Sequence, residues 1–86
     1  YLYFLTILEE SFRAGKFAEA LNFYQKTIAL ADQLGDLSKK AGCLNNIGSV
    51  FLAQNNYDSA LENYEKALNL EKLLGDPLMI MIYLNN

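Results

Sequence analysis

The feature that most constrains this 86-residue chain is that it repeats itself: residues 41–86 lie over residues 1–46 without a gap. The overlay gives 12 identities, namely Ile7/Ile47, Ala20/Ala60, Leu21/Leu61, Tyr24/Tyr64, Lys26/Lys66, Leu30/Leu70, Leu34/Leu74, Gly35/Gly75, Asp36/Asp76, Leu44/Leu84, Asn45/Asn85 and Asn46/Asn86. Most fall at apolar or turn positions, where geometry is set. A fixed period of this size marks a stacked architecture, because each unit is one supersecondary element that buries its apolar face only against its neighbours.

Within each period the apolar spacing is helical. Phe17, Ala20, Leu21, Tyr24 and Ile28 follow i, i+3, i+4, i+7, i+11, and so do Tyr57, Ala60, Leu61, Tyr64 and Leu68. Leu44, Ile47, Gly48 and Phe51 carry the pattern onto the segment between them. Glu62 and Lys66 form an i, i+4 pair on an outer face, solvated and close to neutral in energy. Gly35 and Gly75 are expected to close helices in the left-handed conformation, with Asp36 and Asp76 capping the next ones and Pro77 at a first helical position. Gly15-Lys16 and Asn55-Asn56 are expected to reverse the chain inside each unit. Five helices are thereby predicted, over residues 1–14, 17–34, 37–54, 57–74 and 77–86.

Composition narrows the function. Apolar residues make up 52% of the chain, enough to exclude disorder. Seven Lys and Arg stand against ten Asp and Glu, and the basic residues are scattered except for Lys39-Lys40, so no basic face is available to displace counterions from nucleic-acid phosphates. Cys43 has no second Cys and no His beside which to hold a metal, and reads as a buried, unreactive thiol. The apolar runs at residues 1–8 and 77–84 fall far short of the roughly 20 residues a membrane-spanning helix needs, so no membrane contact is expected. The chain opens on Tyr1 without Met and without a secretory pattern; it reads as part of a longer protein, with a cytoplasmic location as the expectation.

Leu44, Ile47, Gly48, Phe51, Tyr57, Ala60, Tyr64 and Ala67 stand in the order and spacing of the tetratricopeptide signature, which the chain resembles over essentially its whole length. The resemblance implies an all-α fold, a right-handed α-α superhelix of antiparallel helix-turn-helix repeats, with small residues where helices touch. Gly48 and Ala60 would let paired helices approach, and Ala67 would admit the first helix of the following repeat. On this reading the repeats are residues 1–36 and 37–76, with the first helix of a third over residues 77–86. The family's usual unit is about 34 residues. The longer period here lengthens the helices by more than a turn and is similar to the subclass found in kinesin light chains, polarity adaptors and bacterial regulators. In the first unit Leu8, Ser11 and Thr27 replace Gly48, Phe51 and Ala67.

Catalysis has little to work with. The sequence holds no His and no Gly-rich phosphate loop after a strand, and Ser11, Ser38, Ser49 and Ser59 have no partner base. Glu9-Glu10 and Glu62-Glu65 read as solvated faces. No enzyme activity and no cofactor are expected. Helical arrays instead bind extended peptides or partner helices along their inner wall. On the resemblance, that wall is Leu2, Leu5, Thr6, Glu9, Phe12 and Arg13, then Asn45, Asn46, Ser49, Leu52 and Ala53, then Ile82, Asn85 and Asn86. The peptide-binding candidates drawn from it are Leu5, Glu9, Phe12, Asn45, Asn46, Ser49, Leu52, Asn85 and Asn86. Some family members grip the carboxylate tail of chaperones with basic residues; here Leu5, Glu9, Ile82 and Asn86 occupy those positions, so that specificity is not expected.

The recurring Leu-Asn-Asn triplet stands out because Asn is a mediocre helix former. Its amide offers donor and acceptor together, which suits an extended peptide's backbone; the alternative is that these amides bridge helices inside the stack. The expected function is a protein-binding scaffold module in a longer adaptor, sensor or regulator. The alternatives are a structural spacer or self-assembly element and, more distantly, an accessory domain of an enzyme. Self-association is also expected, since residues 1–8 and 77–84 are apolar around much of their circumference and lack a polar capping helix.

Overall fold

The computed structural model describes the backbone of residues 2–85 and the side chains of residues 13–79, 81 and 82. Among them every regular element is helical: α1 (Leu2–Leu34), α2 (Leu37–Ala53), α3 (Tyr57–Leu74) and α4 (Pro77–Asn85). Among the described residues, contacts run between sequential helices. α2 packs on α1 and on α3, and α3 touches α4.

The two turns flanking α2 use the same device. At the end of α1, Gly35 takes φ +69° and Asp36 N–H donates to Ala31 C=O at 2.9 Å. At the end of α2, Asn55 takes φ +62° and Asn56 N–H donates to Phe51 C=O, also at 2.9 Å. In both, one residue in the left-handed region lets the next N–H reach back to the carbonyl five residues earlier, satisfying an acceptor the helix leaves open. That next residue then caps the following helix: Asp36 Oδ1 accepts from Lys39 N–H at 3.0 Å and Asn56 Oδ1 from Ser59 N–H at 3.4 Å.

Two expectations at turns are corrected. Gly15-Lys16 does not break the chain; α1 runs through it as one helix of 33 residues, so there are four helices and not five. Gly15 matches Asn55 in the repeat, but Lys16 stands where Asn56 caps α3, and a lysine offers no acceptor for the N–H groups a new helix would expose. Continuing the helix satisfies those groups at the cost of one interior glycine, about 1 kcal/mol. Gly75 is the second correction: its φ is −79°, right-handed where Gly35 is left-handed. After Gly35 the Leu37 N–H donates to the Gly35 carbonyl at 3.2 Å, a bond that Pro77 at the matching position cannot make. Asp76 still caps as expected, accepting from Leu78 and Met79 N–H at 3.1 and 3.5 Å.

The core lies where three helices meet. Leu37, Ala41 and Leu44 of α2 pack with Ala67 and Leu70 of α3, and Ile28 of α1 and Leu73 of α3 close over them. Ala67, assigned by the resemblance to the seat of the next repeat, is thus part of the core with α2. Ala31, Cys43, Ile47 and Ala60 are buried around this cluster. The expected apolar stripe of α3 divides: Ala60 is buried, whereas Tyr57, Leu61 and Leu68 stay exposed. Lys40 pairs with Asp32 at 2.8 Å across α2 and α1, and the solvated Glu62–Lys66 pair forms at 3.2 Å.

Candidate functional site

Small and polar residues recur on α2 at helical spacing, and the structure keeps them on its free side. Ser38, Gly42, Asn45, Asn46, Ser49, Leu52 and Ala53 are all exposed, while Leu37, Ala41, Leu44, Ile47 and Gly48 turn inward. Asn45, Asn46, Ser49 and Leu52 therefore share one accessible helix face. Arg13 and Ile82 from the expected inner wall are exposed as well. The side chains of Leu5, Glu9, Phe12 and Asn85, and the whole of Asn86, lie outside the described residues.

The free side of α2 forms one wall of a groove of about 440 Å³ against α1, lined by Phe23, Tyr24 and Thr27 on one side and Asp36, Ser38, Lys39, Gly42, Cys43 and Asn46 on the other. Asn46 is the candidate that enters it. Phe23 and Tyr24 stand edge to face, ring centroids 5.7 Å apart, and make one aromatic rim. At Gly42 no atom beyond its own stretch of helix backbone lies within 4 Å of where a Cβ would be, so the floor there is bare backbone open to a ligand. Thr27 Oγ1 donates to Phe23 C=O at 2.9 Å, which satisfies the hydroxyl within its own helix. No hydrogen bond engages the side-chain amides of Asn45 or Asn46 among the described residues, so neither bridges helices there.

Ser49, also exposed on this face, is hydrogen-bonded within the protein. Its hydroxyl donates to Asn45 C=O at 3.2 Å and lies 2.9 Å from Tyr64 Oη. With the serine proton committed to the carbonyl, the tyrosine is the donor, and Ser49 joins α2 to α3. That bond holds the Tyr64 ring over Gly48, where a Cβ would come within 2.9 Å of the ring carbons. Gly48 is thus the close-approach point the sequence suggested.

Asn46, which the resemblance puts on the inner wall, lines this groove, and Phe23, Tyr24 and Thr27, which were not among the candidates, line it as well. These three belong to the helix before α2 in sequence, and their identity as a rim follows from which face of α1 meets α2, which the repeat alone leaves open. Among the described residues no three His, Cys, Asp or Glu side chains cluster as a metal site would require, and no helix is long and apolar enough to cross a membrane. A second groove of about 440 Å³, on Lys40, Leu44, Lys66, Asn69, Leu70 and Leu73, lies between α2 and α3.

Compared with known protein families, residues 11–72 match the family model described as tetratricopeptide repeat. No curated protein and no solved structure matches the chain.

Proposed function

Because the chain belongs to the tetratricopeptide repeat family, whose repeats generally mediate protein–protein interaction, we propose that it is a non-catalytic scaffold module that binds an extended peptide or partner helix in the α1–α2 groove, within a longer adaptor or regulator. The observation that carries this reading is the exposed Asn46 amide, unengaged among the described residues, facing a groove with a bare glycine floor and an aromatic rim. An amide can pair with a peptide's backbone N–H and C=O at once, and an aromatic rim accepts an apolar side chain beside it. Lys39 and Asp36 put both charge signs at one end of the groove, which favours a ligand of mixed charge over a uniformly acidic tail. Asn45 and Leu52 extend the surface along α2, and Leu5, Glu9, Phe12, Asn85 and Asn86 would continue it onto neighbouring units.

Assignment to the long-repeat subclass is part of the same reading. It is supported by the spacing of equivalent joints: α2 starts at Leu37 behind the cap of Asp36, and α4 starts at Pro77 behind the cap of Asp76. Self-association of the chain is also proposed, supported by the exposure of Leu78, Met79, Met81 and Ile82 on α4.

The binding reading is tested with a peptide selected on the chain from a random display library. Its complex is expected to shift the amide resonances of Gly42, Asn46 and Tyr24. Asn46→Ala is expected to weaken it about tenfold, 1.4 kcal/mol, while moving the melting temperature by no more than a few degrees. If Asn46→Ala instead removes about 1–3 kcal/mol of stability and leaves affinity unchanged, the amide is scaffold. Failure to select any groove-binding peptide would favour a structural spacer.

A further inference from the structure

The repeat assigns a partner to a face of α1 that the structure leaves partly uncovered; this face includes Phe23, Tyr24 and Thr27 of the α1–α2 groove, so a helix seated here takes the place of a peptide ligand there. Ala60, Tyr64, Ala67 and Leu70 are the face of α3 turned to α2, with Leu70 only 8% exposed. Their counterparts on α1 are Ala20, Tyr24, Thr27 and Leu30, three of the four identical in type, yet Leu30 is 56% exposed. Beside them Phe23 is 65% exposed. Ala20, Phe23, Thr27 and Leu30 follow alternating spacings of three and four, a continuous seam along one side of the helix.

By the repeat, the helix that belongs on this face is the segment over residues 2–14, as α2 belongs on α3. In this structure the segment continues straight through Gly15 as part of α1, so within one chain it points away from the face it should cover. We infer that the occupant is the same segment of a second copy: two chains exchange residues 2–14, and their α1 helices lie antiparallel about a two-fold axis beside Lys16. The inference rests on the self-association proposed above and specifies its mode.

Register and charge favour this occupant. Gly48 faces Tyr64 in the second unit, and the matching pair in the first is Leu8 and Tyr24. Two antiparallel helices that hold Leu8 opposite Tyr24 of the other copy also hold Arg13 opposite Glu19, twice across the axis, flanking the one like-charged meeting at Lys16. Leu8 also explains why exchange suits this unit better than a closed hairpin. A side chain at Gly48 would meet Tyr64 at 2.9 Å, so a leucine at the equivalent position requires the helices to stand further apart. A tight two-residue turn resists that separation; two separate chains do not.

The test places cysteines at Leu8 and Tyr24 in the Cys43→Ala chain and oxidises it with oxidised glutathione at micromolar concentration. Exchange is expected to give a disulfide-linked species of twice the 9.7 kDa chain mass on a non-reducing gel. A link within one chain, or no link, would overturn it. Independently, Leu30→Glu is expected to convert a dimer to a monomer in sedimentation with its helical spectrum retained, since the side chain is exposed within a single chain. A Leu30→Glu chain that stays dimeric would also overturn the exchange. An unmodified chain that sediments as a monomer removes self-association altogether, whereas a dimer whose cysteines link within each chain removes only this mode of it.

Discussion

One glycine sets the distance between α2 and α3. A methyl group at Gly48 would press on the Tyr64 ring, and the ring is held in place by its hydroxyl bond to Ser49. Gly48→Ala gains about 1 kcal/mol of helix propensity but overpacks the joint by about 1–3 kcal/mol, so a net loss of about 1 kcal/mol is expected. In a domain of this size that lowers the melting temperature by about 4–8 °C. With Tyr64→Ala already present, the same Gly48→Ala change is expected to be neutral or stabilising, because the clash is gone and the propensity gain remains. A double-mutant cycle read by thermal melts checks the coupling, and additive effects would contradict it.

At the scale of elements, the turns show what decides whether two helical segments become one helix or two. Asn55-Asn56 breaks the chain because Asn55 accepts φ +62° and Asn56 caps α3; Gly15-Lys16 offers the first property without the second. Asn56→Lys is therefore expected to cost about 1 kcal/mol, read as a lower melting temperature and slower-relaxing amides at the start of α3. If stability is unchanged, the Asn56 cap is not what ends α2. These particulars also explain what was legible beforehand. The positions of α2 and α3 followed from apolar spacing plus caps that can be read residue by residue, whereas the close approach at Gly48 was implied by the resemblance to the tetratricopeptide signature. The break expected at Gly15 rests on glycine's tolerance of positive φ, and that tolerance does not supply the capping side chain the unit lacks. The free face of α2 is legible from the same spacing as the helix itself, whereas Asn46 as a position on the inner wall was implied by the resemblance. The aromatic rim on α1 was not legible, because it depends on the angle between helices of successive units.

The molecule as a whole is elongated, 60 × 22 × 16 Å, with a radius of gyration of 16.4 Å where a compact chain of this length would have about 12 Å. The cause is α1: at about 1.5 Å per residue it is nearly twice as long as α2, and Arg13 and Phe17 already stand beside Gln54 at the end of α2. Stability is correspondingly uneven. Hydrogen exchange is expected to be slowest in α2 and α3, which share Leu37, Ala41, Leu44, Ala67 and Leu70, and fastest in α4 and in the part of α1 beyond Gln54. Equal protection along all four helices would contradict a core centred on α2 and α3. The far-ultraviolet spectrum is expected to be helical throughout, and a substantial β component would exclude this fold.

The joints between successive units carry a consequence for any longer array built on this plan. Leu34-Gly35-Asp36 and Leu74-Gly75-Asp76 are the same three residues, both aspartates cap the helix that follows, and yet one glycine is left-handed and the other right-handed. The residue after the aspartate, leucine in one and proline in the other, separates them. Pitch can thus be adjusted joint by joint, with a single exchange re-aiming every unit downstream while the packing faces and caps of each unit stay as they were. Pro77→Leu is expected to bring Gly75 to positive φ, measurable from its backbone scalar couplings, and so to give the two joints one geometry.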